Sequence, residues 1–168
     1  MSKARIISNW FKQYSDDVYR FLVYYTGNKD VEDLVQEVFM KALKGLDSFH
    51  HQSSPKTWLF SIARNIAIDD GRKRKIRHIK NSLIFQETVV PSPEHILAEH
   101  EIHKALYGAI MSLRQSYRDV LILRGIKEFT VAETAAVLNW NEDKVRTTYS
   151  RALKALKKQR GGLQDERP

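Results

Sequence analysis

The 168-residue chain has no cysteine. That absence excludes disulfides, thiolate zinc sites and cysteine nucleophiles, and it suits a reducing cytoplasm. No apolar run approaches the roughly 20 residues needed to span a bilayer. The opening MSKARIISNWFKQY lacks the apolar core and cleavage site of a signal peptide. Also missing are a glycine-rich phosphate loop, a nucleophile motif and an HExxH pair, so no cofactor or metal is expected. No stretch alternates convincingly as a strand would, and almost every segment has helical period. The expectation is a cytoplasmic, all-α protein.

Positive charge is present in excess. Lys plus Arg number 28 against 20 for Asp plus Glu, giving net +8 and a pI near 9.7. Such a balance points to a polyanionic partner, with nucleic acid ahead of an anionic membrane. The length allows one medium domain or two small ones.

One stretch runs against that charge. Asp30–Leu46, DVEDLVQEVFMKALKGL, places Val31, Leu34, Val35, Val38, Phe39, Ala42 and Leu43 on one helical side, with Asp30 as the expected N-cap. The other side carries Glu32, Asp33, Gln36, Glu37 and Met40. An exposed charged face is by default merely solvated. An acidic one in a basic chain suits a basic protein surface better than nucleic acid.

Before it, Ile6 through Tyr25 form a long apolar stripe that Gly27 stops. After it comes a polar loop, SFHHQSSP, and Thr57 is expected to open a third helix with Leu59, Ile62, Ala63 and Ile66 inward. Trp58, Arg64, Asn65, Asp69, Arg72 and Lys73 lie on or beside one side of that helix, and the loop adds Ser53, Ser54 and Lys56. Aromatics mixed with cations suit splayed single-stranded bases, although Trp58 alone reads as a core anchor. Residues 77–93 lose the pattern and read as a linker, and Ser92-Pro93 reads as a helix start. The expected division is therefore 1–76, linker 77–93, a second domain 94–160 and a frayed tail 161–168.

In the second domain, Thr130-Val-Ala-Glu133 is a capping box that opens a short helix. The turn NWN follows, and Asn141 can cap a longer helix, so the pair forms a helix-turn-helix. Val145, Tyr149, Ala152 and Leu156 make the inner stripe of the longer helix. Thr147, Ser150, Arg151, Lys154 and Lys158 make the outer one, flanked by Arg146 and Lys157, and that surface reads as free of acid. A plain basic surface helix would share this composition; the capped short helix ahead of it favours DNA reading.

DVEDLVQEVFMKAL, then TWLFSIARNIAIDDGRKRK, then a linker, then EFTVAETAAVLNWNEDKVRTTYSRALKAL together resemble a bacterial sigma factor of the sigma-70 family, extracytoplasmic-function (ECF) subgroup, over about residues 10–158. The resemblance implies that Glu32, Asp33, Gln36 and Glu37 bind core RNA polymerase. It implies that Ser53, Ser54, Lys56, Trp58, Asn65, Asp69, Arg72 and Lys73 serve the minus-ten element of promoter DNA. Lys144, Arg146, Thr147, Ser150, Arg151 and Lys154 would serve the minus-thirty-five element, and an anti-sigma factor is an implied partner. The sequence departs from the family at Pro55, where an aromatic is usual, and at Gly71 inside the third helix.

Three rivals compete. Asp69-Asp70 or Asp33/Glu37 as a two-metal nuclease site, or His100 and His103 near Glu99 as metal ligands, would make an enzyme, but nothing else converges on them. A stand-alone helix-turn-helix regulator explains 130–158 and leaves the acidic helix without work. Binding to a membrane surface lacks the wide apolar face it needs.

Overall fold

The computed structural model describes residues 2–49, 53–82 and 101–165. The chain divides into two compact units, Met1–Ile96 and Leu97–Pro168, each helical. The expected linker starts later than 77, because the third helix runs on to Ser82; residues 83–93 and the Ser92 helix start lie outside the described residues.

The first unit holds α1 (Lys3–Thr26), α2 (Glu32–Gly45), a 3-10 turn (Leu46–Ser48) and α3 (Pro55–Ser82). Gly27 ends α1 as expected: it sits in the left-handed region at φ 72°, which costs glycine nothing, and its amide donates to the Val23 carbonyl at 2.9 Å. Asp30 does not cap α2. Its amide donates to Asn28 Oδ1 at 3.0 Å, and the cap position belongs to Val31, whose side chain is fully buried. No side-chain hydrogen bond caps the start of α2.

Helix α3 begins at Pro55, two residues before the expected Thr57. Proline suits a first helical position, where its missing N–H costs nothing. Ser54 Oγ accepts from the Thr57 amide at 3.1 Å, so the loop serine caps the helix. Because α3 packs against both α1 and α2 it buries a wider arc than a single stripe: Leu59, Phe60, Ala63, Ile66 and Ala67 are buried, while Ile62 is only half-buried. Phe60 meets Phe21 of α1 with ring centroids 4.8 Å apart. Gly71 lies exposed in this helix, and a Cβ added there would meet no atom within 4 Å, so packing does not require glycine at that position.

The second unit holds α4 (Glu101–Met111), α5 (Gln115–Val120), a π-helical segment (Leu121–Ile126), α6 (Val131–Leu138) and α7 (Glu142–Asp165). In the π segment the Lys127 amide reaches back five residues to the Ile122 carbonyl at 2.8 Å. The capping box of α6 is formed as the sequence predicts: Glu133 N–H donates to Thr130 Oγ1 at 3.0 Å, and Thr130 N–H to Glu133 Oε1 at 2.9 Å. Asn139 closes α6 in the left-handed conformation at φ 57°, which its short polar side chain tolerates. Asn141 Oδ1 then accepts from the Lys144 amide at 2.7 Å and starts α7. That helix continues through Gly161 and Gly162 to Asp165 instead of fraying at 161. Among the described residues no helix is long and apolar enough to cross a membrane.

Candidate nucleic-acid interface

Helix α2 sorts cleanly. Val31, Val35, Val38, Phe39 and Ala42 are buried, and Glu32, Asp33, Gln36 and Glu37 are all exposed on the other side. The apolar stripe is not wholly used: Leu43 is exposed, and so is Phe11 of α1, which packs edge-on to Phe39 at 5.0 Å. Glu37 is 3.7 Å from Lys41 one turn on, a half-exposed pair worth only a few tenths of a kcal/mol.

The minus-ten candidates fall in two places. Lys56 and Trp58 stand at the start of α3. Trp58 is neither a core anchor nor a free platform: it is half-buried, stacked at 31° on Phe49 with centroids 5.0 Å apart, and edge-on to Trp10 at 6.1 Å. Trp10, on the expected apolar stripe of α1, belongs to this aromatic group, and nothing in the α1 periodicity says that it reaches α3. Lys56 lies 3.6 Å from Asp17 of α1. Ser53 is half-buried, and Ser54 is occupied as the cap. Farther along α3, Asn65, Asp69, Arg72 and Lys73 are exposed, and Arg64 is half-buried. Asp69, Arg72 and Lys73 line a polar cleft of about 310 Å³ together with Glu37 and Lys41 of α2. The structure thus brings a docking candidate and three DNA candidates to one cleft, although they are some 30 positions apart in sequence.

On α7, Val145 and Ala152 are buried, and Lys144, Arg146, Thr147, Ser150, Arg151, Lys154 and Lys158 are exposed. The outer surface is not free of acid, as the sequence had suggested. Arg146 Nη1 is 3.1 Å from Asp143 Oδ1 and Nη2 is 3.5 Å from Glu142 Oε2. The signal was present in the i, i+3 and i, i+4 spacing. Lys144 Nζ lies 4.3 Å from the centre of the Trp140 ring in the turn. Sequence reasoning also missed Arg124. The π segment carries it to a groove of about 410 Å³ against α7, lined also by Arg146, Tyr149, Ser150, Lys154 and Lys157. Its Nη1 donates to the Phe129 carbonyl at 2.6 Å, and its guanidinium lies 5.4 Å from the Tyr149 ring centre. No periodicity signals it, because a π turn breaks the helical register.

Away from these surfaces, burial pushes the Tyr107 phenol up to about 12, opposed by the nearby Arg118 charge. Among the described residues no group of three or more His, Asp or Glu is arranged to hold a metal. His100 lies outside the described residues.

A second unit that presents a capped helix-turn-helix with a largely cationic outer face has the architecture that DNA-binding proteins use. Comparison with known proteins narrows the class. Sigma-70 region 2 matches residues 10–77 and Sigma-70, region 4 matches residues 103–156. The chain is 36% identical over 163 residues to the ECF RNA polymerase sigma factor SigX of Bacillus subtilis, covering 93% of this chain and 84% of that one. It is 37% identical over 155 residues to SigM of the same organism, covering 90% and 93%. Its fold is similar to that of the sigma factor RpoE from Bartonella quintana, solved in complex with the anti-sigma factor NepR, with a TM-score of 0.71 and 25% identity over 95% of this chain and 98% of that one. The chain belongs to the sigma-70 family, in its ECF group. It is a sigma factor that directs RNA polymerase to promoter DNA.

Proposed function

We propose that the two units divide this work residue by residue. The exposed face of α2, Glu32, Asp33, Gln36 and Glu37, docks on a basic surface of core RNA polymerase. The start of α3, with Lys56, Trp58, Ser53 and the cap Ser54, handles the minus-ten element as its strands separate. Asn65, Asp69, Arg72 and Lys73 follow the same DNA along α3. Helix α7 enters the major groove at the minus-thirty-five element with Lys144, Arg146, Thr147, Ser150, Arg151 and Lys154. The division expected for 1–76 and 94–160 falls on the two units, with α3 carrying the first on to Ser82. The protein works in the cytoplasm beside the polymerase, and an anti-sigma factor is its regulatory partner, as one is for the Bartonella quintana neighbour.

One observation carries the α7 assignment: each of its six DNA candidates is exposed, while Val145 and Ala152 behind them are buried. Packing within the unit therefore does not explain why those residue types stand there. An Arg can meet guanine O6 and N7 with two donors, whereas a Lys at the outer end meets phosphate as a point charge. Arg151→Ala is expected to cost about 1–3 kcal/mol and to relax preference at one base pair. Lys154→Ala is expected to weaken all sequences alike and to lower the salt slope by roughly one unit. Holoenzyme binding to a library of upstream-element variants across a salt series separates the two effects. A change confined to the salt slope in the Arg151 variant would remove base reading from this position.

A further inference from the structure

Arg146 has both arms of its guanidinium engaged before any DNA arrives. Nη1 meets Asp143 at 3.1 Å and Nη2 meets Glu142 at 3.5 Å. These are the nitrogens of the donor fork that can meet a guanine edge. The two carboxylates occupy the first turn of α7, the end that helix-turn-helix proteins place deepest in the groove. An acid in a first turn is favoured by the helix dipole whatever its neighbours. The dipole does not choose their partner: the i, i+4 and i, i+3 spacing sets both acids on one arginine, while the Asp143 side chain stays 95% exposed.

We infer that Glu142 and Asp143 are specificity-determining residues that act through Arg146 by setting it against phosphate. The inference rests on the reading that Arg146 contacts DNA. A guanidinium flanked by two carboxylates presents little net positive potential. A phosphate approaching it meets the acids as like charges and is repelled. A guanine edge is neutral: its two acceptors can replace the two carboxylates without that repulsion. The acids thus lower the value of every backbone contact Arg146 could make on unrelated DNA and spare the base contact. Discrimination here comes from a penalty on the wrong partner, not from an added attraction to the right one. The pairs are half-exposed or more, so each is weak, and the effect on the affinity ratio is expected to be about two- to fivefold.

The test is a mutant cycle on the full chain. The probes are a random-sequence duplex and the duplex most enriched by the wild-type chain from a randomised pool. Glu142→Gln with Asp143→Asn is expected to tighten random-duplex binding about two- to fivefold more than it tightens binding to the enriched duplex, and to steepen the salt slope on random DNA. In an Arg146→Ala background the same amide changes are expected to leave the ratio of the two affinities unmoved. A melting curve checks that the fold survives, which the intact Asn141 cap favours. An unchanged ratio in the wild-type background overturns the inference. So does an equal fall in the Arg146→Ala background, which would trace the effect to net charge alone. A selective loss of affinity for the enriched duplex overturns it too, since the acids would then be reading bases directly. If Arg146→Ala by itself alters neither sequence preference nor salt slope, the reading that Arg146 contacts DNA fails, and the inference with it.

Discussion

Reversing two charges on α2, Asp33→Lys with Glu37→Lys, is expected to weaken binding to core RNA polymerase by about a hundredfold or more. Placing like charges opposite one another at an interface costs several kcal/mol, and each tenfold in affinity is about 1.4 kcal/mol. The fold should tolerate the change. Both residues are exposed, and among the described residues the ion pair at stake, Glu37 with Lys41, is an exposed i, i+4 pair. Replacing it by two lysines costs a few tenths of a kcal/mol. Pull-down of core enzyme at several salt concentrations, beside a circular dichroism melt, measures both quantities. Wild-type retention of core enzyme by the double variant would remove docking from this face and leave it a solvated surface.

The second large effect is in the core. Phe60→Ala is expected to destabilise the first unit by about 3–5 kcal/mol, because the ring is fully buried against Phe21 and its loss leaves a cavity that the neighbours only partly fill. A whole domain has only about 5–15 kcal/mol to lose, and small ones lie at the low end. The second unit has its own core, including Val120, Ile122, Leu123 and Val145. The variant should therefore melt in two steps. Polymerase docking should fail well below the temperature at which binding to an upstream duplex fails. Loss of both functions in one transition would show that the units do not stand alone.

How much of this was legible in the sequence depended on how local the cause was. The Thr130–Glu133 box, the Gly27 stop and the Asn141 cap involve residues within four positions of one another, and all three appear as predicted. The α2 stripe was legible because its buried residues all lie on one face. The inner face of α3 was read too narrowly, missing Phe60 and Ala67, because its buried arc is wider than one stripe. Asp30 lost the cap of α2 to a buried valine, since tertiary burial outweighed a local preference. Trp10, Trp58 and Phe49 come together from three elements, and no spacing rule connects them. Arg124 was hidden by the π turn. The Arg146 acids stand at i, i+4 and i, i+3 spacing, so their pairing is a local feature of the sequence.

The connections inside each unit have a kinetic consequence. α1 passes to α2 through one short turn, the capped α6 passes to α7 through three residues, and α5 runs directly into the π segment. Neighbouring helices pack on one another, so a large share of each core is made between segments close along the chain. Chains of this kind need little search to close their loops, and helical domains with such low contact order fold in microseconds to milliseconds. A unit opened by thermal fluctuation closes again on that timescale. Proteolytic loss of the sigma factor would then follow the equilibrium population of its open form and not the rate at which it opens.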